Sequence, residues 1–185
     1  MFTNGGIRAV TSLALAIGLS GAMALPAAAE PTRPAEQATN DACSGDFRYS
    51  GGDSQRAARD AAIDGVVSDM NFFVRGIARS RLKKATKISP SVAVSRDGEN
   101  LVVLIDGKRY SAPLSGKGVE VTNAEGDKMT LTHREKNGRI DQTFRAKDGG
   151  RKNMLRCQGD KLELQVTIFS PRLPREIKYR LSYKK

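Results

Sequence analysis

Residue types that build catalytic and metal sites are scarce in this chain of 185 residues. There is one histidine, His133, there are only two cysteines, and tryptophan is absent. A structural zinc site needs about four clustered ligands, and a nucleophilic hydrolase commonly needs a histidine beside its nucleophile. No G-x-S-x-G, H-E-x-x-H or phosphate-binding glycine motif occurs. The sequence therefore predicts a protein that is not an enzyme and that holds no metal or cofactor.

An apolar run long enough to cross a bilayer as a helix, about 20 residues, is also missing. The apolar stretch Ala9 to Leu19 is shorter, follows the basic residue Arg8, and precedes a small-residue site that ends at Ala29. These three parts are typical of a secretory signal peptide. The sequence therefore predicts that residues 1–29 are cleaved near Ala29 and that the protein is exported, to the periplasm or beyond the cell. A retained membrane anchor is the alternative.

The two cysteines, Cys43 and Cys157, lack the C-x-x-C spacing of redox pairs and have no partners for a metal site. Export places them in an oxidising compartment, where a single disulfide forms readily. We therefore predict a Cys43–Cys157 disulfide that closes a long loop.

Acidic residues are absent from residues 70–87, which carry a charge of +6 within a chain of net charge +11. The six cations are Arg75, Arg79, Arg81, Lys83, Lys84 and Lys87. One interpretation is a basic surface that binds an anionic membrane or polysaccharide. The other is a helix whose apolar stripe faces the core while solvent surrounds its cations. Nucleic acid is not an expected partner because stacking aromatic residues are few.

The rest of the chain predicts a single domain. Residues 30–42 are Pro, Ala and polar residues without periodicity, which is typical of a disordered leader, and the domain spans residues 43–185. A short strand near Phe47 is followed by helical spacing over about residues 54–86. We expect two helices, or one kinked near Ser68, with Ser54 as the first N-cap.

After Pro90 the glycines and turn dipeptides recur every 8–12 residues, which is typical of short antiparallel strands. Together with residues 47–50, the pattern predicts ten strands. The remaining nine are Ser91–Ser95, Asn100–Asp106, Lys108–Ala112, Val119–Thr122, Lys128–Arg134, Arg139–Ala146, Asn153–Gln158, Lys161–Phe169 and Glu176–Lys184.

Most of these strands alternate apolar and charged residues, so one face is buried and the other meets water. The fold class is therefore mainly β: an up-and-down antiparallel barrel or clam with a two-helix insertion after the first strand. A membrane-spanning barrel is not expected, because the outward face is charged and aromatic girdles are missing. Asn100 to Asp106 is apolar on both faces. We expect a helical stripe to cover its outer side, formed by Met70, Phe73, Val74 and Ile77, or else a dimer contact.

One strand, two helices and a long antiparallel meander, over Asp46 to Lys184, resemble the calycin group, in particular its fatty-acid-binding proteins; lipocalins are eight-stranded relatives. The resemblance rests on the order of elements. A lipocalin G-x-W motif is absent because the chain has no tryptophan. Fatty-acid-binding proteins commonly hold a carboxylate with an Arg-x-Tyr pair on the last strand, whereas here that strand contains Tyr179-Arg180-Leu181-Ser182-Tyr183. That pair therefore does not transfer.

Polar residues in phase with the core define a candidate pocket for a lipophilic or amphipathic small molecule. They are His133, Gln142, Tyr179 and Tyr183, with Phe144 beside Gln142. The alternative is that His133 and the tyrosine hydroxyls lie in water at strand ends and that the barrel is filled by its own side chains. The leading hypothesis is an exported ligand-binding protein. Its competitor is an envelope protein without a cavity that binds anionic surfaces through its basic helix and C-terminal strands.

Overall fold

The computed structural model describes residues 43–123 and 126–185. The predicted signal peptide, residues 1–29, and the predicted leader, residues 30–42, lie outside the described residues. Ten antiparallel strands and two helices form within them. The strands are β1 (Gly45–Tyr49), β2 (Ser91–Asp97), β3 (Asn100–Ile105), β4 (Lys108–Pro113), β5 (Val119–Thr122), β6 (Lys128–Lys136), β7 (Arg139–Ala146), β8 (Gly149–Gln158), β9 (Lys161–Phe169) and β10 (Ile177–Lys184). The helices are α1 (Gly52–Val67) and α2 (Phe72–Ala85), and both follow β1.

All ten strands belong to one sheet that curls into a nearly closed barrel. The order along the sheet is β4-β3-β2-β1-β10-β9-β8-β7-β6-β5, so β1 lies between β2 and β10. The sheet ends at β4 and β5, which share no ladder, and a single bridge between Ser115 and Arg134 links the β4 side to β6. We call this interrupted closure the seam. The predicted fold class and strand count are confirmed.

The hairpins are set by local turn chemistry. Asp106-Gly107 and Asn137-Gly138 both have positive φ, at 52° and 73° for the first pair and 53° and 68° for the second. Two consecutive residues of positive φ form a type I′ turn, whose twist matches that of the flanking strands, and Asp-Gly and Asn-Gly are its preferred dipeptides. These two turns therefore fix the register of β3 with β4 and of β6 with β7.

The inner faces of the strands build the core. Leu162, Leu164 and Val166 of β9 are at most 2 % exposed, and Ile177 and Leu181 of β10 are at most 1 % exposed. The alternating residues of both strands are exposed or half-buried. The predicted one-sided alternation is thus present, and the hydrophobic effect stabilises each of these side chains by about 1.5–3 kcal/mol.

Helix α1 begins earlier than the sequence suggests and packs on the barrel. Its N-cap is Gly51, while the Ser54 hydroxyl bonds to the Gly51 carbonyl oxygen, so the prediction of Ser54 as N-cap is wrong. Its last turns bury Ile63, Val66 and Val67 in the core. Arg175, in the β9–β10 connection, donates to the carbonyl of Gly65 near the end of α1. We call the end of the barrel at this connection the helical end.

Helix α2 presents its large apolar side chains to solvent. Asn71 caps it by accepting from the Phe73 N–H, and its phase turns Ala78 and Leu82 toward the core. Phe73 and Ile77 are 86 % and 61 % exposed. The prediction that the stripe of Met70, Phe73, Val74 and Ile77 covers β3 is therefore wrong, although Val102 on the outer side of β3 is only 1 % exposed.

Candidate functional site

Three polar side chains lie side by side in the middle of the inner face. His133 of β6 pairs in register with Gln142 of β7, which pairs with Asn153 of β8. The same row continues through Val166 of β9 to Tyr179 of β10. His133, Gln142 and Asn153 are each 0 % exposed. The structure therefore brings His133, Gln142 and Tyr179 of the predicted pocket into one row across five adjacent strands.

Hydrogen bonds join this row into a directed chain. Arg151 Nε donates to Asn153 Oδ1 at 2.7 Å, and Asn153 Nδ2 donates to Gln142 Oε1 at 2.8 Å. Gln142 Nε2 lies 3.0 Å from His133 Nε2, and His133 Nδ1 lies 3.3 Å from the carbonyl oxygen of Ala112. We call these four bonds the relay. Each buried polar group in it has a partner, which is the condition for burying polar groups at low cost.

The last bond of the relay crosses the seam, because His133 belongs to β6 and Ala112 belongs to β4. Burial lowers the pKa of His133 below its ordinary value of 6.5, and hydrogen bonds with the backbone of Ala112 and Leu101 offset only part of that effect. The carbonyl of Ala112 is only an acceptor, so Nδ1 carries the proton and Nε2 accepts from Gln142. His133 is therefore a neutral imidazole in its Nδ1–H form, and it does not lie in water at a strand end.

Tyr179 and Tyr183 are both buried, but only one of their hydroxyls is satisfied. The Tyr183 hydroxyl donates to the carbonyl of Ser89 at 3.2 Å, whereas the buried Tyr179 hydroxyl has no hydrogen-bond partner among residues 43–123 and 126–185. Burial raises the pKa of both tyrosines, and the charge of Arg151 partly offsets the rise. Arg59 of α1 also lowers the pKa of Tyr179. Two guanidinium groups thus act on the one unsatisfied hydroxyl.

Arg151 was not among the predicted site residues. The predicted eighth strand began at Asn153, whereas β8 begins at Gly149. Alternation followed back from Leu155 places both Asn153 and Arg151 on the inner face, and this signal was available in the sequence. Arg151 pairs in register with Phe144, one row closer to the helical end than Asn153. Among the described residues, no carboxylate lies within salt-bridge distance of Arg151.

The middle of the barrel is filled. Leu131, Leu155 and Val166 around the row are at most 1 % exposed, so no water-sized space adjoins these side chains. Closer to the helical end, inner-facing Ile168 and Met129 are only partly buried. A cleft of about 340 Å³ near this end lies on the outer surface, because Glu120, Lys128, Thr130 and Arg145 line it. A second cleft of about 360 Å³ lies on the outer surface and includes Arg156 and Lys161.

Phe144 belongs to a smaller apolar cluster beside the seam. Its ring meets Tyr110 of β4 edge to face at a centroid distance of 4.8 Å. Ala112 and Leu131 complete the buried part of the cluster. Phe144 therefore holds β7 against β4 across the seam.

The predicted basic surface lies on α2, and part of it is paired. Arg79 Nε lies 2.7 Å from Asp64 Oδ1, Lys83 lies 3.8 Å from Asp60, and Arg75 Nε donates to the carbonyl of Met70. Lys84, Arg81 and Lys87 have no carboxylate within 4.0 Å in the described part of the chain. Their charges therefore face solvent next to exposed apolar side chains. We call this surface the α2 patch; it consists of Phe72, Phe73, Val74, Ile77, Arg81 and Lys84.

The predicted disulfide is present, with the Cα atoms of Cys43 and Cys157 5.1 Å apart. A disulfide is typical of proteins outside the cytoplasm. Over residues 43–123 and 126–185, no helix is long and apolar enough to cross a membrane. In the same residues no group of three or more His, Cys, Asp or Glu side chains is placed to hold a metal ion.

Comparisons with known proteins give a likeness of fold alone. No protein-family model matches the chain, and no curated protein sequence matches it. Lipid binding protein 8 of Caenorhabditis elegans aligns with a TM-score of 0.50 and 10 % identity, over 78 % of this chain and 96 % of that one. A secretory abundant heat soluble (SAHS) protein of Ramazzottius varieornatus aligns with a TM-score of 0.50 and 9 % identity, over 78 % and 95 %. The fold is that of the calycin group, of the fatty-acid-binding-protein type, as the order of elements suggested.

Proposed function

We propose that this protein binds a small amphipathic anion, with the head group between Arg151 and Tyr179 and the apolar part at the helical end of the barrel. The observation that carries the proposal is the unsatisfied, buried hydroxyl of Tyr179 beside a guanidinium group that has no carboxylate partner among the described residues. One neighbour of the same fold is named a lipid binding protein, which agrees with an apolar ligand. On this proposal the protein is a carrier and not an enzyme.

An anion would satisfy groups that the protein itself leaves unpaired. Within the part of the chain that the structure describes, only Nε of Arg151 is engaged, with Asn153. A guanidinium group has further donors in a fork that matches a carboxylate or sulfonate. A buried hydroxyl without a partner costs about 1–3 kcal/mol. A ligand oxygen that accepts from Tyr179 removes that cost, so the site favours an anion over a neutral molecule of the same shape.

The ligand we propose is compact. The side chains around Leu155 and Val166 leave no room in the middle of the barrel, while Ile168 and Met129 toward the helical end are only partly buried. A chain of about ten carbons that stays in this half fits better than a long chain coiled through the whole interior.

Binding of decanoate, measured by native mass spectrometry and by displacement of a lipophilic fluorescent probe, tests this function. We expect decanoate to bind and decanol to bind at least about tenfold more weakly, since the alcohol lacks the charge. Arg151→Met is expected to remove that preference. Arg156→Met is the matched control, because Arg156 lies on the same strand but is exposed. Absence of binding by all lipophilic probes, or equal binding of decanoate by both variants, would refute the proposal.

The α2 patch supports a second function, which is docking on an anionic membrane. Phe72 and Phe73 are 76 % and 86 % exposed, and residues 70–87 contain no acid. Apolar side chains among cations suit insertion between anionic lipid head groups. We expect salt-sensitive sedimentation with phosphatidylglycerol vesicles, much weaker sedimentation with phosphatidylcholine vesicles, and loss of binding in Phe73→Ser.

A charge-matched pair of double variants separates docking from general attraction. Arg81→Gln with Lys84→Gln removes two cations from the patch, whereas Arg156→Gln with Lys161→Gln removes two exposed cations elsewhere. Docking through α2 predicts a loss in the first variant only. Equal losses in both would leave only general electrostatic attraction.

We also propose that the protein acts outside the cytoplasm after cleavage near Ala29. The apolar stretch that follows Arg8 and the small-residue site support this, and the Cys43–Cys157 disulfide agrees with it. Mass spectrometry of the protein from its natural host should give a chain that begins at Glu30. An intact N-terminal Met1 in the purified protein would contradict cleavage.

A further inference from the structure

The relay has only one arrangement of protons. Arg151 at one end can only donate, and the Ala112 carbonyl at the other can only accept. The four bonds between them must therefore all run in one direction, from Arg151 through Asn153, Gln142 and His133 to Ala112. In this arrangement the imidazole of His133 is neutral and carries its proton on Nδ1.

A proton on His133 Nε2 breaks the relay at its far end. Nε2 then needs an acceptor, so the Gln142 amide must turn its oxygen toward His133 and its NH₂ toward Asn153. The Asn153 amide must turn in the same way. Its NH₂ then faces Arg151 Nε, where two donors oppose each other and Arg151 has no acceptor to offer. The mismatch therefore ends in loss of the bond from Arg151 Nε to Asn153.

We propose that protonation of His133 and release of Arg151 from Asn153 are one event, so that a proton on His133 and an anion at Arg151 bind cooperatively. The anion part of this inference rests on the function proposed above. A released Nε is a further donor for the anion, and the anion offsets the repulsion between the protonated His133 and the guanidinium group of Arg151. By reciprocity, the anion favours protonation as much as the proton favours the anion.

Of the charged groups that face His133, Arg151 is the one whose hydrogen bonding is coupled to its protonation. Glu135, two residues along β6 on the same face, is engaged by Arg96 of β2 at 2.9 Å. From β8 the facing charge is Arg151, and from β10 the titratable group is Tyr179. The inner-facing neighbours on β3, β4, β5 and β7 are Leu101, Ala112, Val119 and Gln142, none of which titrates. Burial, which lowers the pKa of His133, keeps the relay in its neutral form near pH 7.

The ligand-free protein tests the relay without any ligand. His133 is the only histidine, so the ¹⁵N signals of its ring report one residue. We expect the Nδ1–H form and a titration midpoint below 6.5. In Asn153→Leu, which keeps the charge of Arg151 but cuts the relay, Gln142 is free to turn and the midpoint is expected to rise. Arg156→Met on the same strand should leave it unchanged. An Nε2–H form, or equal midpoints in wild type and Asn153→Leu, would overturn the inference.

Decane-1-sulfonate tests the cooperativity, because its charge does not change with pH over this range. We expect its affinity to rise as the pH falls below neutrality, by at most about tenfold per pH unit, and the His133 midpoint to rise when it is bound. If the sulfonate binds and neither quantity changes, the cooperativity is wrong. If it does not bind at all, the anion function fails, while the ligand-free titration still decides whether the relay exists.

Discussion

Mild acid should destabilise the folded protein through His133 alone. The perturbation is a shift from about pH 7.5 to about pH 5.5, above the range in which most carboxylates titrate. In the unfolded chain His133 has its ordinary pKa of 6.5, whereas burial holds the pKa of the folded state lower. Below pH 6.5 the unfolded state therefore binds a proton that the folded state does not, and the free energy of unfolding falls as the pH falls.

The size of this effect follows from linkage. One proton taken up only by the unfolded state changes the free energy of unfolding by about 1.4 kcal/mol per pH unit. With an unfolded pKa of 6.5, the loss at about pH 5.5 is at most about 1.4 kcal/mol, and it stops growing once the pH falls below the pKa of the folded state. The stability is recovered fully only about one pH unit above 6.5.

Urea unfolding at several pH values, compared with His133→Asn, is the assay. Asparagine keeps a donor for the Ala112 carbonyl but does not titrate. We expect the variant to be less stable at every pH. The pH dependence that carboxylates cause is the same in both proteins and cancels in the difference between them. The wild type should lose stability toward about pH 5.5 relative to the variant. A constant difference, or one of opposite sign, would show that His133 is not held neutral by its surroundings.

Three further substitutions test the packing. Cys43→Ser with Cys157→Ser opens a loop of sequence separation 114 and should lower the free energy of unfolding in urea by up to about 4.8 kcal/mol; a loss below about 1 kcal/mol would contradict the entropic account. In Gly150→Ala the new Cβ would clash with the carbonyl oxygen of Phe144, and a loss of about 1–3 kcal/mol is expected by thermal melting. Gly76→Ala, in α2 with nothing within 4 Å of the new Cβ, should stabilise by about 1 kcal/mol, and a destabilisation would mean that α2 packs differently.

The fold was predictable because its signals are local. Alternation in residues such as Leu162 and Leu164 sets which face is buried, and Asp106-Gly107 and Asn137-Gly138 set where strands turn back. Tertiary contacts decide the rest. The orientation of α2 about its axis, and so the face that it packs on the core, is set by tertiary contacts. The prediction from its largest apolar residues, such as Phe73, was wrong because Ala78 and Leu82 make that contact.

The candidate site was predictable only in part. His133 and Gln142 could be placed on the inner face from the parity of their neighbours. Their pairing follows from the Asn137-Gly138 turn, which sets the register of β6 with β7. The direction of the bond between them depends on Asn153 and Arg151 of β8, which were not identified. Arg151 and Asn153 were missed because polar residues after two glycines resemble a turn, and a charged residue on an inner face runs against the usual pattern of a strand.

The position of β1 between β2 and β10 has a consequence for the order of folding. Arg48 and Lys184 are paired, although 184 − 48 = 136 residues separate them. Synthesis proceeds from the N-terminus, so β1 emerges early and finds β2 soon, while its other neighbour is the last strand to be made. Until β10 has been made, β1 is paired only with β2 and the side of Phe47 toward β10 is uncovered. High contact order of this kind slows folding, so the barrel can close only after its last strand has been made.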